Sequence, residues 1–193
     1  MTGAILAGGR SRRMGANKAL IKINDETIIQ RTVRLFKDIF NETIIIANEP
    51  LLYEGLSTRV YADIHKDTGS LGGIYTALSI STGGHVFVAA CDMPFLNKNA
   101  IQKVIEHPSG DAVIPFIQGR FHPMHALYSK SCMKQIEALI KEKNLRLSSL
   151  IERIHVKKLT EHDFPAIDIV ASVENINTKE ELTTGKLNKQ PVQ

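Results

Sequence analysis

Residues 3–20 read Gly3-Ala-Ile-Leu-Ala-Gly-Gly-Arg-Ser-Arg-Arg-Met-Gly-Ala-Asn-Lys-Ala-Leu20, and the order of these residues decides the fold. A short apolar run, Ala4 to Ala7, stops at Gly8 and Gly9. The following residues carry Arg10, Arg12, Arg13 and Lys18, a third glycine at Gly15, and no acidic side chain. A buried strand that delivers a cationic, glycine-punctuated turn to the carboxyl edge of a sheet is suited to phosphates. Glycine lets backbone N–H groups converge on an anion without a Cβ in the way, and Arg and Lys supply the countercharge. The spacing fits neither of two common phosphate loops. A Walker loop needs Gly-x4-Gly-Lys-Ser/Thr, but Arg13 and Met14 stand five residues after Gly8 and Gly9. The dinucleotide pattern Gly-x-Gly-x-x-Gly fails because Arg10 follows Gly8 by two. The competing reading is an ordinary surface loop with a basic face.

Outward from this turn the chain alternates. Ile28, Ile29, Val33, Phe36, Ile39 and Phe40 recur at helical intervals, which predicts an amphipathic helix over a sheet. Thr43–Ala47 and Arg59–Ala62 read as short strands, the first ending near Asn48 and the second on Asp63. Strand, loop, helix, strand opens a doubly wound, mostly parallel α/β fold, in which ligands sit beyond the carboxyl ends of the strands. Gly69-Ser-Leu-Gly72-Gly73 then opens a helix carrying Leu71, Ile74, Tyr75 and Leu78. Its glycines serve either a ligand's approach or close helix packing.

Val86–Ala90 is the clearest central strand, and it runs into Cys91-Asp92-Met93-Pro94. A carboxylate there suits Mg²⁺, which takes one or two protein carboxylates plus phosphate oxygens; an N-cap or turn Asp is the alternative. Asn97 or Asn99 caps a helix bearing Ile101, Val104 and Ile105. Strands are expected at Asp111–Phe116, Met124–Tyr128, Ile154–Leu159 and Ile167–Ala171, with Gln118–His122 a polar turn. Helices are expected around Cys132–Ile140 and at Thr178–Leu182. His122-Pro-Met-His125 looks like a metal pair, but Pro123 breaks the helix that would align the rings, so it reads as a substrate-side loop or as structure. Cys91 is expected to be buried and inert.

Length and composition narrow the function classes. The chain has 193 residues, 43% hydrophobic and 23% charged, which suits one well-cored domain over residues 1–184 with a frayed tail at 185–193. A net charge of +4 with dispersed basic residues, no Trp and 6% aromatics favours a small anionic ligand over nucleic acid. Cys91 and Cys132 lack disulfide or metal spacing. Nothing approaches the ~18 apolar residues of a membrane span, so a soluble cytoplasmic protein without membrane partners is expected.

Leu-Ala-Gly-Gly-x-Ser-x-Arg-Met-Gly-x-x-Lys, from Leu6 to Lys18, resembles the signature of the small nucleotidyltransferases, above all the molybdenum cofactor guanylyltransferase family. The likeness runs from about Gly3 to Leu182 and is loosest over Lys130–Ile167. It implies a Rossmann-like, glycosyltransferase-A-like fold, and an enzyme that transfers GMP from GTP to the phosphate of molybdopterin or Mo-molybdopterin with Mg²⁺, releasing pyrophosphate. It also implies possible hand-over by molybdopterin-delivering proteins. Leu6, Ala7, Gly8 and Gly9 match positions on the nucleotide side, Arg13 and Lys18 its catalytic cations, and Asn48 and Asp63 further nucleotide contacts. Gly72 lies in the family's Gly-Pro-Leu-Gly/Ala-Gly segment, where Ser70 replaces the frequent proline. Asp92 matches the magnesium ligand. His122-Pro and Val173-Glu-Asn-Ile-Asn-Thr178 resemble elements near the pterin half. A cytidylyltransferase on the same pterin, a sugar-phosphate or isoprenoid nucleotidyltransferase, and a non-catalytic nucleotide-binding adaptor are the alternatives.

Overall fold

A computed structural model of the chain describes residues 1–8 and 18–176. The expected helix at Thr178–Leu182, the tail, and the site assignments of Gly9 and Arg13 lie outside the described residues. The first strand, β1 (Thr2–Leu6), is buried along its whole length. It lies between β4 (Glu42–Ile46) and β6 (His85–Ala90), parallel to both, with Leu6 opposite Ile46 and Ala90. Strand β5 (Arg59–Tyr61) continues the parallel set beyond β4. On the far side β9 (His125–Ser129) runs antiparallel to β6 and to β7 (Ala112–Ile117), and β10 (Val156–Leu159) runs parallel to β7. The spatial order is β10-β7-β9-β6-β1-β4-β5. The result is the expected mostly parallel α/β sheet, with β9 the returning strand.

Successive residues of β1 and β6 point to opposite faces, and both faces are covered, which is why the strands read as unbroken apolar runs. Ile5, Phe87 and Ala89 pack under α1 (Ile28–Lys37), α3 (Lys98–Ile105) and α6 (Ile169–Val173). Ala4, Leu6, Val86 and Val88 pack under α2 (Gly69–Ile80), α4 (Met133–Lys141) and α5 (Leu147–Arg153). Helix α1 begins at a capping box, in which Thr27 accepts from Gln30 N and the Gln30 side chain accepts from Thr27 N. Asn97, rather than Asn99, caps α3. Before α1 a two-residue hairpin pairs β2 (Lys22–Ile23) with β3 (Glu26–Thr27).

Two expectations are corrected. Ile167–Ala171 is not a strand, since Ile169–Val173 is a helical turn. The Asp168 carboxylate accepts from Ala171 N at 3.1 Å, and Ile169, Ser172 and Val173, spaced i, i+3, i+4, face the core. The Gln118–His122 turn also contains a strand, β8 (Arg120–Phe121), which folds back on β7. Its two-residue turn places Gln118 at φ 52° and Gly119 at φ 76°, the left-handed pair that hairpin twist requires. Glu161 steadies the non-glycine position by accepting from Gln118 N at 2.7 Å. Among the described residues no helix is long and apolar enough to cross a membrane.

Candidate nucleotide-transfer site

The carboxyl ends of β1, β4, β5 and β6 form one edge, and Gly8, Lys18, Asn48, Asp63 and Asp92 collect there. Lys18 begins a short 3-10 turn, and its Nζ lies 3.6 Å from Asp92 Oδ2; both side chains are about four-fifths buried. Asp92 leaves β6 directly, just after Cys91 donates its N–H to the Leu6 carbonyl at 3.1 Å. Burial pushes the Asp92 carboxyl above its ordinary pKa, and the Lys18 ammonium opposes that rise. The same burial, with Asp92 beside it, pushes the Cys91 thiol up to about 12, so Cys91 is no nucleophile.

A second pair stands at the end of β4 and β5. Asn48 Nδ2 donates to Asp63 Oδ2 at 2.9 Å, and Asp63 N donates to Asn48 Oδ1 at 3.1 Å. Asp63 Oδ2 is 3.9 Å from the place a Cβ would occupy on Gly8, so this pair borders Gly8. Burial raises the Asp63 pKa against the Asn48 hydrogen bond, and Asp63 Oδ1 is enclosed without a partner among the described residues.

The backbone of Leu6 and Ala7 is more occupied than the sequence suggests. Leu6 O accepts from Cys91, Ala7 N donates to Ile46 O at 2.9 Å, and Ala7 O accepts from the Tyr53 hydroxyl at 3.1 Å. A base reading this stretch meets carbonyls already holding one bond each, and the exposed Gly8. Gly72 and Gly73 make close packing contacts. A Cβ on Gly72 would strike the Thr68 hydroxyl and lie 2.9 Å from the His65 carbonyl; one on Gly73 would lie 2.9 Å from Leu6 Cδ1. The helix therefore rests directly on the strand that delivers the loop.

A family model for the MobA-like NTP transferase domain matches residues 3–159. The chain belongs to this family. The MobA-like chain is 35% identical over 188 residues to the molybdenum cofactor guanylyltransferase of Desulfosudis oleivorans, covering 94% of this chain and 92% of that protein. Its fold is similar to the crystal structure of molybdopterin-guanine dinucleotide biosynthesis protein A from Archaeoglobus fulgidus, with a TM-score of 0.81, 28% identity and 95% of each chain covered.

In this MobA-like NTP transferase the donor set at Asp92 suits a hard divalent ion. One or two carboxylates are the share a protein contributes to Mg²⁺ when phosphate oxygens and water supply the rest. Its raised pKa marks a desolvated oxygen that a cation would relieve. His122 and His125 form no ligand pair. His122 Nε2 faces the Ile117 carbonyl at 3.3 Å, and His125 Nε2 faces Ser172 Oγ at 3.0 Å.

The sequence reading missed what lies behind Lys18. Ile176 accepts from Lys18 Nζ at 2.9 Å and donates its own N–H to the Asp92 carbonyl at 2.9 Å. The Ile176 side chain is buried with Ile23 and Ile28. The segment beginning at Val173, expected on the pterin side, thus reaches the lysine–aspartate pair. No periodicity could reveal a contact spanning 158 positions.

Proposed function

We propose that the chain transfers GMP from GTP to the terminal phosphate of molybdopterin or Mo-molybdopterin, forming the guanine dinucleotide and releasing pyrophosphate. The observation that carries this reading is the Lys18–Asp92 pair, 3.6 Å apart, with Asp92 just past the carboxyl end of β6 and Gly8 and the Asn48–Asp63 pair along the same edge. The relative's printed activity supplies the base and the acceptor.

The reaction needs little covalent help from protein. The pterin phosphate is already ionised near neutral pH, so its oxygen attacks the α-phosphorus in line and no general base is required. The bond to the bridging oxygen breaks, and that oxygen leaves on pyrophosphate. Lys18 places a positive charge where the α-phosphate gains negative charge, and Asp92 holds that ammonium on its line of approach. Arg13, between Gly8 and Lys18 in sequence, is assigned to the β- and γ-phosphates together with the Gly8–Gly9 backbone. Asn48 and Asp63 are assigned to the nucleoside. Asp92 would hold Mg²⁺, which supplies neutralisation of phosphate charge when bound.

The test is to incubate the protein with Mg²⁺, molybdopterin and each of the four NTPs, and to measure pyrophosphate release. GTP-selective, pterin-dependent release is expected. CTP-selective release would move the assignment to a cytidylyltransferase, and binding of GTP without release to a non-catalytic adaptor.

A further inference from the structure

We infer that His125, which closes the His122-Pro-Met-His125 turn, positions the Lys18 ammonium, its ring seating α6 so that the strap leading to Ile176 presents a carbonyl to that lysine. The inference rests on the role given to Lys18 above.

The turn joins β8 to β9, and its rings point into protein rather than toward solvent. His125 is fully buried, its ring edge-on to Phe87 with centroids 5.2 Å apart. Its Nε2 lies 3.0 Å from the hydroxyl of Ser172, which is also fully buried and accepts from Asn97 N at 3.0 Å. One serine oxygen therefore joins three elements: β9, α6, and the start of α3 just beyond the Asp92 loop. His125 Nδ1 has no partner among the described residues. An orphaned N–H is rarer than an orphaned lone pair, so the network favours Nε2–H donating to Ser172 and a bare Nδ1. Burial lowers the His125 pKa to about 4, so the ring is neutral at neutral pH. His122 is buried too. Its Nε2 faces the Ile117 carbonyl at 3.3 Å, and burial lowers its pKa.

A core built for stability alone would place apolar side chains here, since burying an imidazole with one unpaired nitrogen is unfavourable. What the polar network provides is direction. The hydrogen bond from the His125 ring sets the place of Ser172, and four residues later Ile176 bonds both members of the site pair. Misplacing a charged group by about an ångström can lower a rate 10²-fold, so small tilts of α6 reach the chemistry through Lys18.

The experiment is a double-mutant cycle in the full chain, reading kcat and KM for GTP by pyrophosphate release, with thermal melts to confirm folding. Ser172→Ala should lower kcat about 10–100-fold with little change in KM. His125→Phe, which keeps the ring beside Phe87 and removes both nitrogens, should do the same. In a Lys18→Ala background neither substitution should lower kcat further, because the positioned group is gone. Should the folded single variants turn over like the parent chain, or should the two losses multiply in the double variant, the positioning role is wrong. An unimpaired Lys18→Ala would instead overturn the role of Lys18, and with it this inference. Should Ser172→Ala fail to fold, the His125→Phe arm decides by the same comparison.

Discussion

Asp92 and Lys18 are a pair in which each charge limits the other. Asp92→Ala should retain measurable GTP binding but lose most transfer, because the ligand proposed for the cation is gone and several kcal/mol of charge stabilisation go with it. Full turnover of that variant with saturating Mg²⁺ would remove Asp92 from the metal. The Asp92 pKa is raised, chiefly by burial, so the folded state takes up this proton before the unfolded chain does as pH falls. The stability linked to that proton is fully present below the ordinary aspartate pKa and is lost as pH rises through the raised value. Asp92→Asn should accordingly melt slightly higher than the parent at neutral pH while being impaired in transfer, a trade between function and stability. Melts from pH 4 to 8 check this, and a gap that does not widen with pH would contradict it. Lys18→Ala should lower kcat by about 10²–10³-fold if the ammonium acts at the transition state. A change confined to KM would make it a binding residue.

Among the elements, α2 shows where a local reading stops. Its opening glycines suited a ligand and a tight contact equally, and the contact is what the fold displays. Gly72→Ala should destabilise the protein by about 1–3 kcal/mol, since the new methyl meets the backbone carbonyl of His65 as well as the Thr68 hydroxyl. A denaturant midpoint equal to the parent's would mean that Thr68 and the His65 carbonyl move aside for the methyl. Continuous apolar runs such as Val86–Ala90 were legible because a strand buried on both faces leaves no polar alternation. Helix α1 was legible from its apolar spacing. Helix α6 was not, because five residues rich in Ile and Val look like strand until the Asp168 cap is seen. Helix α5 was missed for a related reason: within Leu147–Arg153 only Leu150 is fully enclosed, too little to set a period.

Across the whole molecule, the face of the sheet beneath α1 centres on Phe87, which lies against Phe36, Phe40 and His125 with ring centroids 5.8, 5.7 and 5.2 Å away. Phe87→Ala should cost about 3–5 kcal/mol, a large part of a typical 5–15 kcal/mol total. Urea unfolding measures it, and a loss below about 1 kcal/mol would mean that the cavity collapses. The facing of Lys18 and Asp92 was legible in outline, because a strand order with β1 beside β6 brings their ends together once the parallel fold is recognised. The support behind them was not, since Ile176 lends main-chain atoms that no side-chain pattern announces. That choice of atom governs how position 176 can change over generations. The oxygen that holds the ammonium comes with every amino acid, and the side chain has only to fill the gap between Ile23 and Ile28. Valine or leucine could therefore replace isoleucine there without altering the chemistry, so a site essential by location would drift freely in name.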